Sequence, residues 1–175
     1  GGDSGGNYIK TFTIPADGST ITAVTVLKYV GGYNYYNSWV DMGNGRLALA
    51  YASNNYQGYI RTFYIPPDGS AITDMYSLTH SSTGYGLYNS LVKVYENTVA
   101  LSYRSYNYGP SGGGSYGGWI KTFTINAGTI TQAAQLKHWP SWSYYNSLVQ
   151  ADANTYVLDW SDNNAEGRVT TSTLP

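Results

Sequence analysis

Tyr59-Ile60-Arg61-Thr62-Phe63-Tyr64-Ile65 runs directly into Pro66-Pro67-Asp68-Gly69-Ser70, and this stretch decides the fold. A short apolar and β-branched run stopped by Pro and Asp-Gly is a strand entering a hairpin, because Asp-Gly supplies the positive φ such turns require. The same run occurs earlier as Tyr8-Ile9-Lys10-Thr11-Phe12-Thr13-Ile14 and later as Trp119-Ile120-Lys121-Thr122-Phe123-Thr124-Ile125. A second element returns in step: Tyr36-Asn37-Ser38, Tyr88-Asn89-Ser90 and Tyr145-Asn146-Ser147. The spacings are 51 and 60 residues for the first element, 52 and 57 for the second. Such a period means an array of similar units, each too small to bury a core alone.

One unit reads as four strands. Residues 36–42, 46–52, 59–65 and 71–79 form strands A to D, separated by Gly43-Asn44-Gly45, by the loop 53–58 and by the Pro-Pro-Asp-Gly turn. No segment carries a sustained 3.6-residue apolar period, so essentially no helix is expected. Four antiparallel strands repeated in tandem are the signature of a β-propeller blade, and the expected fold is all-β. The chain opens on a half blade (8–28), continues through blades 36–79 and 88–137, and ends on a partial blade (145–174). That makes 13 strands and a little over three blades in one repeat domain, 1–175. Closed propellers have four to eight blades, so completion by self-association, as a homo-oligomer or polymer, is expected. Phe12, Phe63 and Phe123 share one strand position and read as core. Asp159 stands where the other units have Ala50 and Ser102, and Ser172 where they have Phe, so the last blade has lost part of an apolar face.

Composition narrows function by exclusion. Charged residues are 11% and the net charge is −1, which gives no electrostatic case for nucleic acid or an anionic membrane. No apolar run is long enough to span a bilayer, and no signal segment opens the chain. The absence of cysteine removes disulfides, thiol catalysis and Cys-ligated zinc.

Tyrosine is the excess: 20 residues, beside five Trp and three Phe. The A–B and C–D turns are short and polar. The D–A and B–C loops, which emerge on the opposite face of a propeller, carry the aromatics. The D–A loops contribute Tyr33, Tyr35, Tyr85, Trp139, Trp142 and Tyr144. The B–C loops contribute Tyr56, Tyr106 and Tyr108, mixed with Asn54 and Asn163. These eleven are the candidate ligand-binding residues, since aromatic and amide clusters stack on sugar rings and bond their hydroxyls. The same rings also suit protein interfaces. Each Tyr-Asn-Ser asparagine either contacts a ligand or ties down the D–A corner; identical residues in every repeat usually serve the repeat.

Catalytic constellations are sparse. His80 and His138 share one repeat position, filled by Tyr29 in the first unit, which argues for a structural role and against a ring of metal ligands. Glu96 and Glu166 fall on opposite faces, which weakens any paired-carboxylate hydrolase. The 161–167 loop and the opening Asp3-Ser4-Gly5-Gly6-Asn7 offer oxygen ligands but match no calcium loop. Gly112-Gly113-Gly114 precedes no helix and reads as an inserted loop, not a phosphate cradle. No cofactor, metal or enzymatic activity is expected.

The repeat, as in Gly118-Trp119-Ile120-Lys121-Thr122-Phe123-Thr124-Ile125 and Tyr145-Asn146-Ser147-Leu148-Val149-Gln150, resembles β-propeller-type tandem repeats of large secreted or cell-surface bacterial and environmental proteins. The resemblance covers nearly the whole chain and implies an extracellular or surface location. The layout also looks like propeller lectins built from several short chains. The expected function is therefore a non-enzymatic, lectin-like module binding carbohydrate through the aromatic face. The alternative is a structural subunit of an extracellular filament or surface layer, assembled through strands and aromatic loops.

Overall fold

In a computed structural model, residues 5–82, 84–108 and 114–173 are described, with Asn107 and Tyr108 described by backbone alone. Thirteen strands are found among them and no helix, so no helix is long and apolar enough to cross a membrane. The first sheet is β1 (Gly6–Thr13) and β2 (Thr22–Gly31). The second is β3 (Tyr35–Gly43), β4 (Arg46–Ala52), β5 (Gly58–Tyr64) and β6 (Thr73–Ser81), in that spatial order. The third repeats this meander with β7 (Leu87–Tyr95), β8 (Thr98–Tyr108), β9 (Gly114–Asn126) and β10 (Thr129–Trp139). The fourth holds β11 (Tyr144–Asp152), β12 (Thr155–Ser161) and β13 (Gly167–Thr173). Every pairing is antiparallel, and the fold is all-β, built of propeller-type blades. β13 pairs with β12 along its whole length, so the strand left over by a simple count of blades is the third strand of the last sheet.

Strand limits differ from expectation mainly at the hairpins. β2 and β6 begin two residues later than the apolar pattern suggests, because the turn is longer than Asp-Gly alone. Asp17 Oδ1 accepts from Ser19 N and Asp68 Oδ1 from Ser70 N, which carries the turn through the serine. Gly18 and Gly69 have the positive φ expected of them, 66° and 67°.

The Tyr-Asn-Ser triplet is a backbone device. Tyr36, Tyr88 and Tyr145 all lie in the left-handed region, at φ 57°, 55° and 53°. Each sits at a register shift where its strand begins to pair, which is a bulge that turns the chain into the first strand of a blade. Asn89 Nδ2 donates to Gly86 O and Asn146 Oδ1 accepts from Ser143 Oγ, which holds each corner, while Asn146 Nδ2 donates across to Tyr88 O of the preceding sheet. The serine reaches the next sheet: Leu91 N donates to Ser38 Oγ at 2.9 Å and Leu148 N to Ser90 Oγ at 2.8 Å. β3 thereby lies beside β7, and β7 beside β11, as the inner strands of successive blades.

Three apolar clusters join the four sheets. Ile9 with Leu49, Tyr51 and Phe63 joins the first to the second. Ala48, Ala50 and Ile60 with Leu101, Tyr103 and Phe123 join the second to the third. Ala100 and Ile120 with Leu148, Tyr156, Leu158 and Trp160 join the third to the fourth. The expectation that the three phenylalanines are equivalent core fails at one of them. Phe63 and Phe123 are fully buried, but Phe12 is 51% exposed. Its side chain occupies the same repeat position, but no described sheet packs over it.

Candidate functional site

The D–A and B–C connections and the strand ends beside them converge on one face; Tyr35, Tyr106, Tyr108 and Tyr144, expected in loops, lie in β3, β8 and β11, because those strands run further than the apolar pattern suggests. Six ring contacts form a continuous ladder there: Tyr35 with Tyr56, Tyr56 with Tyr85, Tyr85 with Tyr106, Tyr106 with Tyr116, Tyr116 with Trp142, and Trp142 with Tyr144. The tightest is Tyr116 on Trp142, with centroids 3.5 Å apart and planes 23° from parallel. A second row, Tyr36–Tyr88–Tyr145, runs along the inner strand starts and meets the first at Tyr144. The left-handed φ of its three tyrosines aims these rings at one another across blades.

Four predicted positions fall outside the ladder. Tyr33 is 67% exposed and stands apart. Asn54 and Asn163 are exposed on their loops. Trp139 is not a loop residue: it ends β10, packs on the core cluster between the third and fourth sheets, and meets Trp160 at 5.8 Å. The strand runs further than the apolar pattern suggested, which carries Trp139 into the interior. The Tyr108 side chain lies outside what is described.

The residue at the centre of the ladder was not among the candidates. Arg104, on β8, is 6% exposed, and its guanidinium lies 4.7 Å from the Tyr144 ring, 4.9 Å from Tyr88 and Trp142, and 5.8 Å from Tyr116. Its Nε and Nη1 are buried without a hydrogen-bond acceptor among the described residues. The Tyr88 hydroxyl is no counter-ion, since burial and the Tyr36 hydroxyl beside it push its pKa well above the ordinary phenol value. The strand pairings place Arg104 where the other repeats have Ala52 and Ser161, and that break in the repeat is the signal that marks it.

Clefts open between sheets on the same side. One, about 270 Å³, lies between β2 and the second sheet and is lined by Val30, Tyr51, Ser53, Tyr59 and Arg61. Its repeat equivalent, about 210 Å³, is lined by Ser81, Tyr103, Ser105, Trp119 and Lys121. Arg61 is paired with Asp74 at 2.8 Å. Lys121 Nζ instead donates to His80 O at 2.8 Å, and burial lowers its pKa.

The histidines each pack against an aromatic ring of the next sheet. His80 is buried with its ring edge-on to Tyr103 at 4.6 Å, and His138 sits in the same way against Trp160 at 4.9 Å. Tyr29 makes the equivalent contact with Tyr51. Burial, with the Lys121 charge adding to it, lowers the His80 pKa to about 3; burial lowers that of His138 to about 4. A Cβ on Gly58 would come within 2.4 Å of the His80 ring, and one on Gly118 within 2.5 Å of His138, so the glycine before each C strand makes room for the imidazole.

Asp162 has its carboxylate taken by its own loop. Arg168 Nη2 donates to it at 2.8 Å, and the amides of Asn164 and Glu166 donate to Oδ1. Burial opposes the charge, but these bonds and Arg168 outweigh it and hold the pKa below the usual carboxylate value. The 161–167 loop thus supplies no open oxygen cage. Among the described residues no group of His, Cys, Asp or Glu is arranged to hold a metal. Asp3, Ser4, Gly112 and Gly113 lie outside the described residues, while Gly114 opens β9.

No family model matches the chain, and no curated protein matches it. Among solved structures it is similar to a protein of Bacteroides fragilis NCTC 9343 described as a "putative 6-phosphogluconolactonase". The TM-score is 0.46 and the identity 10%, over 99% of this chain and 65% of the other. The lectin-like expectation is corrected here, and with it the filament or surface-layer alternative. No family model and no curated protein supports either reading. On the face itself the ring planes that were to stack on sugars, or to join subunits, are stacked on one another and on Arg104.

Proposed function

We propose that the chain is a propeller segment that associates with further copies of itself through the faces of its first and last sheets. One observation carries this reading: Phe12 in the first sheet and Val169 in the last are exposed at repeat positions that are buried in the sheets between them. Ile60 and Ile120 are buried, whereas Val169, in the same repeat position of the last sheet, is 71% exposed. Val149 beside it is also exposed. At the other end Phe12, Tyr8 and Val26 face outward from the first hairpin. The two end faces correspond in repeat position to the two halves of the interface the chain makes between its own sheets, with Asp159 in place of the buried Ala50 and Ser102. Ser147 Oγ, at the position of the Ser38 and Ser90 acceptors, faces outward on the same surface as Val149. Contacts of this kind are head-to-tail, and they close into a ring when the rotation per copy allows. With two four-stranded sheets, one of three strands and one of two, a pair of copies approaches the blade number of closed propellers.

The test is molar mass by light scattering across a dilution series. A discrete species above one chain, falling on dilution, is the expected result. Phe12→Glu and Val169→Glu should each abolish it, and mixing the two variants should restore a dimer, since each keeps the face the other lacks. A single-chain mass at every concentration overturns the reading.

A further inference from the structure

We infer that Arg104 and the rings around it form a binding site for a carboxylate carried on a planar, apolar body. The argument starts from the cost of burying an unpaired cation. A guanidinium removed from water loses several kcal/mol of solvation unless a counter-charge or hydrogen bonds replace it. Four rings within 6 Å return part of this, at about 0.5–2 kcal/mol each. Rings stabilise the charge, but in these contacts they leave the in-plane N–H groups without acceptors, and Nε and Nη1 are two such donors. Arg104 forms no ion pair among the described residues. The missing component is therefore an acceptor bearing negative charge.

Space for it exists. A cavity of about 240 Å³ opens beside the guanidinium, walled by Tyr56, Tyr85, Leu87, Tyr116 and Trp142. Among the described residues its only cation is Arg104, and the others that line it are aromatic or aliphatic. A single positive charge suits a monoanion; a phosphate dianion would find no second cation in that lining. The planar walls suit a flat apolar body extending from the carboxylate. The site draws on three sheets: Tyr56 comes from the β4–β5 loop of the second, Arg104 and Tyr116 from the third, Trp142 from the connection to the fourth, and Tyr144 from β11. Occupancy would thus fasten both boundaries of the third sheet.

The probe is benzoate, titrated into the full chain by calorimetry and by tryptophan fluorescence. Benzamide, acetate and inorganic phosphate are the comparators. Saturable benzoate binding is expected, at least tenfold tighter than benzamide or phosphate and tighter than acetate. Arg104→Gln should weaken benzoate at least tenfold and leave benzamide unchanged. Arg104→Lys should recover only part, because it keeps the charge and loses the planar fork. If Arg104→Gln does not fold, the benzoate-to-benzamide ratio in the unmodified chain decides alone. A peptide ending in phenylalanine that competes with benzoate only when its carboxyl terminus is free would assign a protein terminus as the ligand. Failure of that peptide beside tight benzoate would assign a free aromatic acid. Absence of saturable benzoate binding, or equal binding of benzamide, overturns the site.

Discussion

Phe63→Ala and Phe123→Ala are each expected to lower the free energy of unfolding by about 3–5 kcal/mol, while Phe12→Ala in dilute protein costs about 1 kcal/mol or less. The three residues share one repeat position, so local propensity is constant and only burial differs. Phe63 and Phe123 fill clusters between sheets, and truncation leaves a cavity that stiff neighbouring strands close poorly. Phe12 is half-exposed on the outer face of the first hairpin. Urea unfolding at low concentration measures the stability difference. The same Phe12→Ala variant, at concentrations where association occurs, should lower the fraction of assembled protein. Equal losses of stability at all three sites would mean that the first hairpin is already covered in one chain, and the self-association reading would fail with it.

Acid should destabilise the protein well before its carboxylates titrate. The pKa values of His80 and His138 in the folded chain are about 3 and about 4, against about 6.5 for the unfolded chain. Between these limits the unfolded state binds more protons, so stability is full above pH 6.5 and falls as pH drops toward the folded values. The loss is about 1 kcal/mol per histidine for each pH unit in that range. Below it Asp162 adds a further loss, since its lowered pKa means that the stability it supplies disappears on protonation. Urea midpoints at pH 7.5 and 4.5 should differ clearly. The His80→Phe, His138→Phe double variant should flatten the difference. A midpoint unchanged between the two pH values in the unmodified chain would show that the imidazoles reach water.

The hairpin residues made the fold readable from sequence. Pro-Ala-Asp-Gly and Pro-Pro-Asp-Gly fix turns chemically, and the run from Tyr59 to Ile65 returns often enough to fix the period. The side carrying the aromatic loops followed from the order of strands. What did not follow was which rings meet, because that depends on how one blade sits on the next. Trp139 looked like a loop residue because Lys137-His138-Trp139 precedes Pro140, yet β10 continues through it. Arg104 drew no attention as a single charge within an apolar strand. Comparison with Ala52 and Ser161 exposes it, since a repeat that replaces alanine by arginine must accommodate a charge. Phe12 could not be told from Phe63 by its neighbours in sequence; what separates them is whether a described sheet packs over the ring.

The three clusters that join successive sheets also set how the chain comes apart. Each cluster is shared by two sheets, and none is common to all four. Cooperativity in such an array passes only between neighbours, so the ends open before the middle. Amide hydrogen exchange should then be graded along the chain. The slowest amides are expected in β4, β5, β8 and β9, whose sheets have a neighbour on both sides. The β1–β2 hairpin and β13, with one neighbour each, should exchange first. Association of copies would turn those ends into interior sheets, and the gradient would flatten in proportion to the fraction assembled.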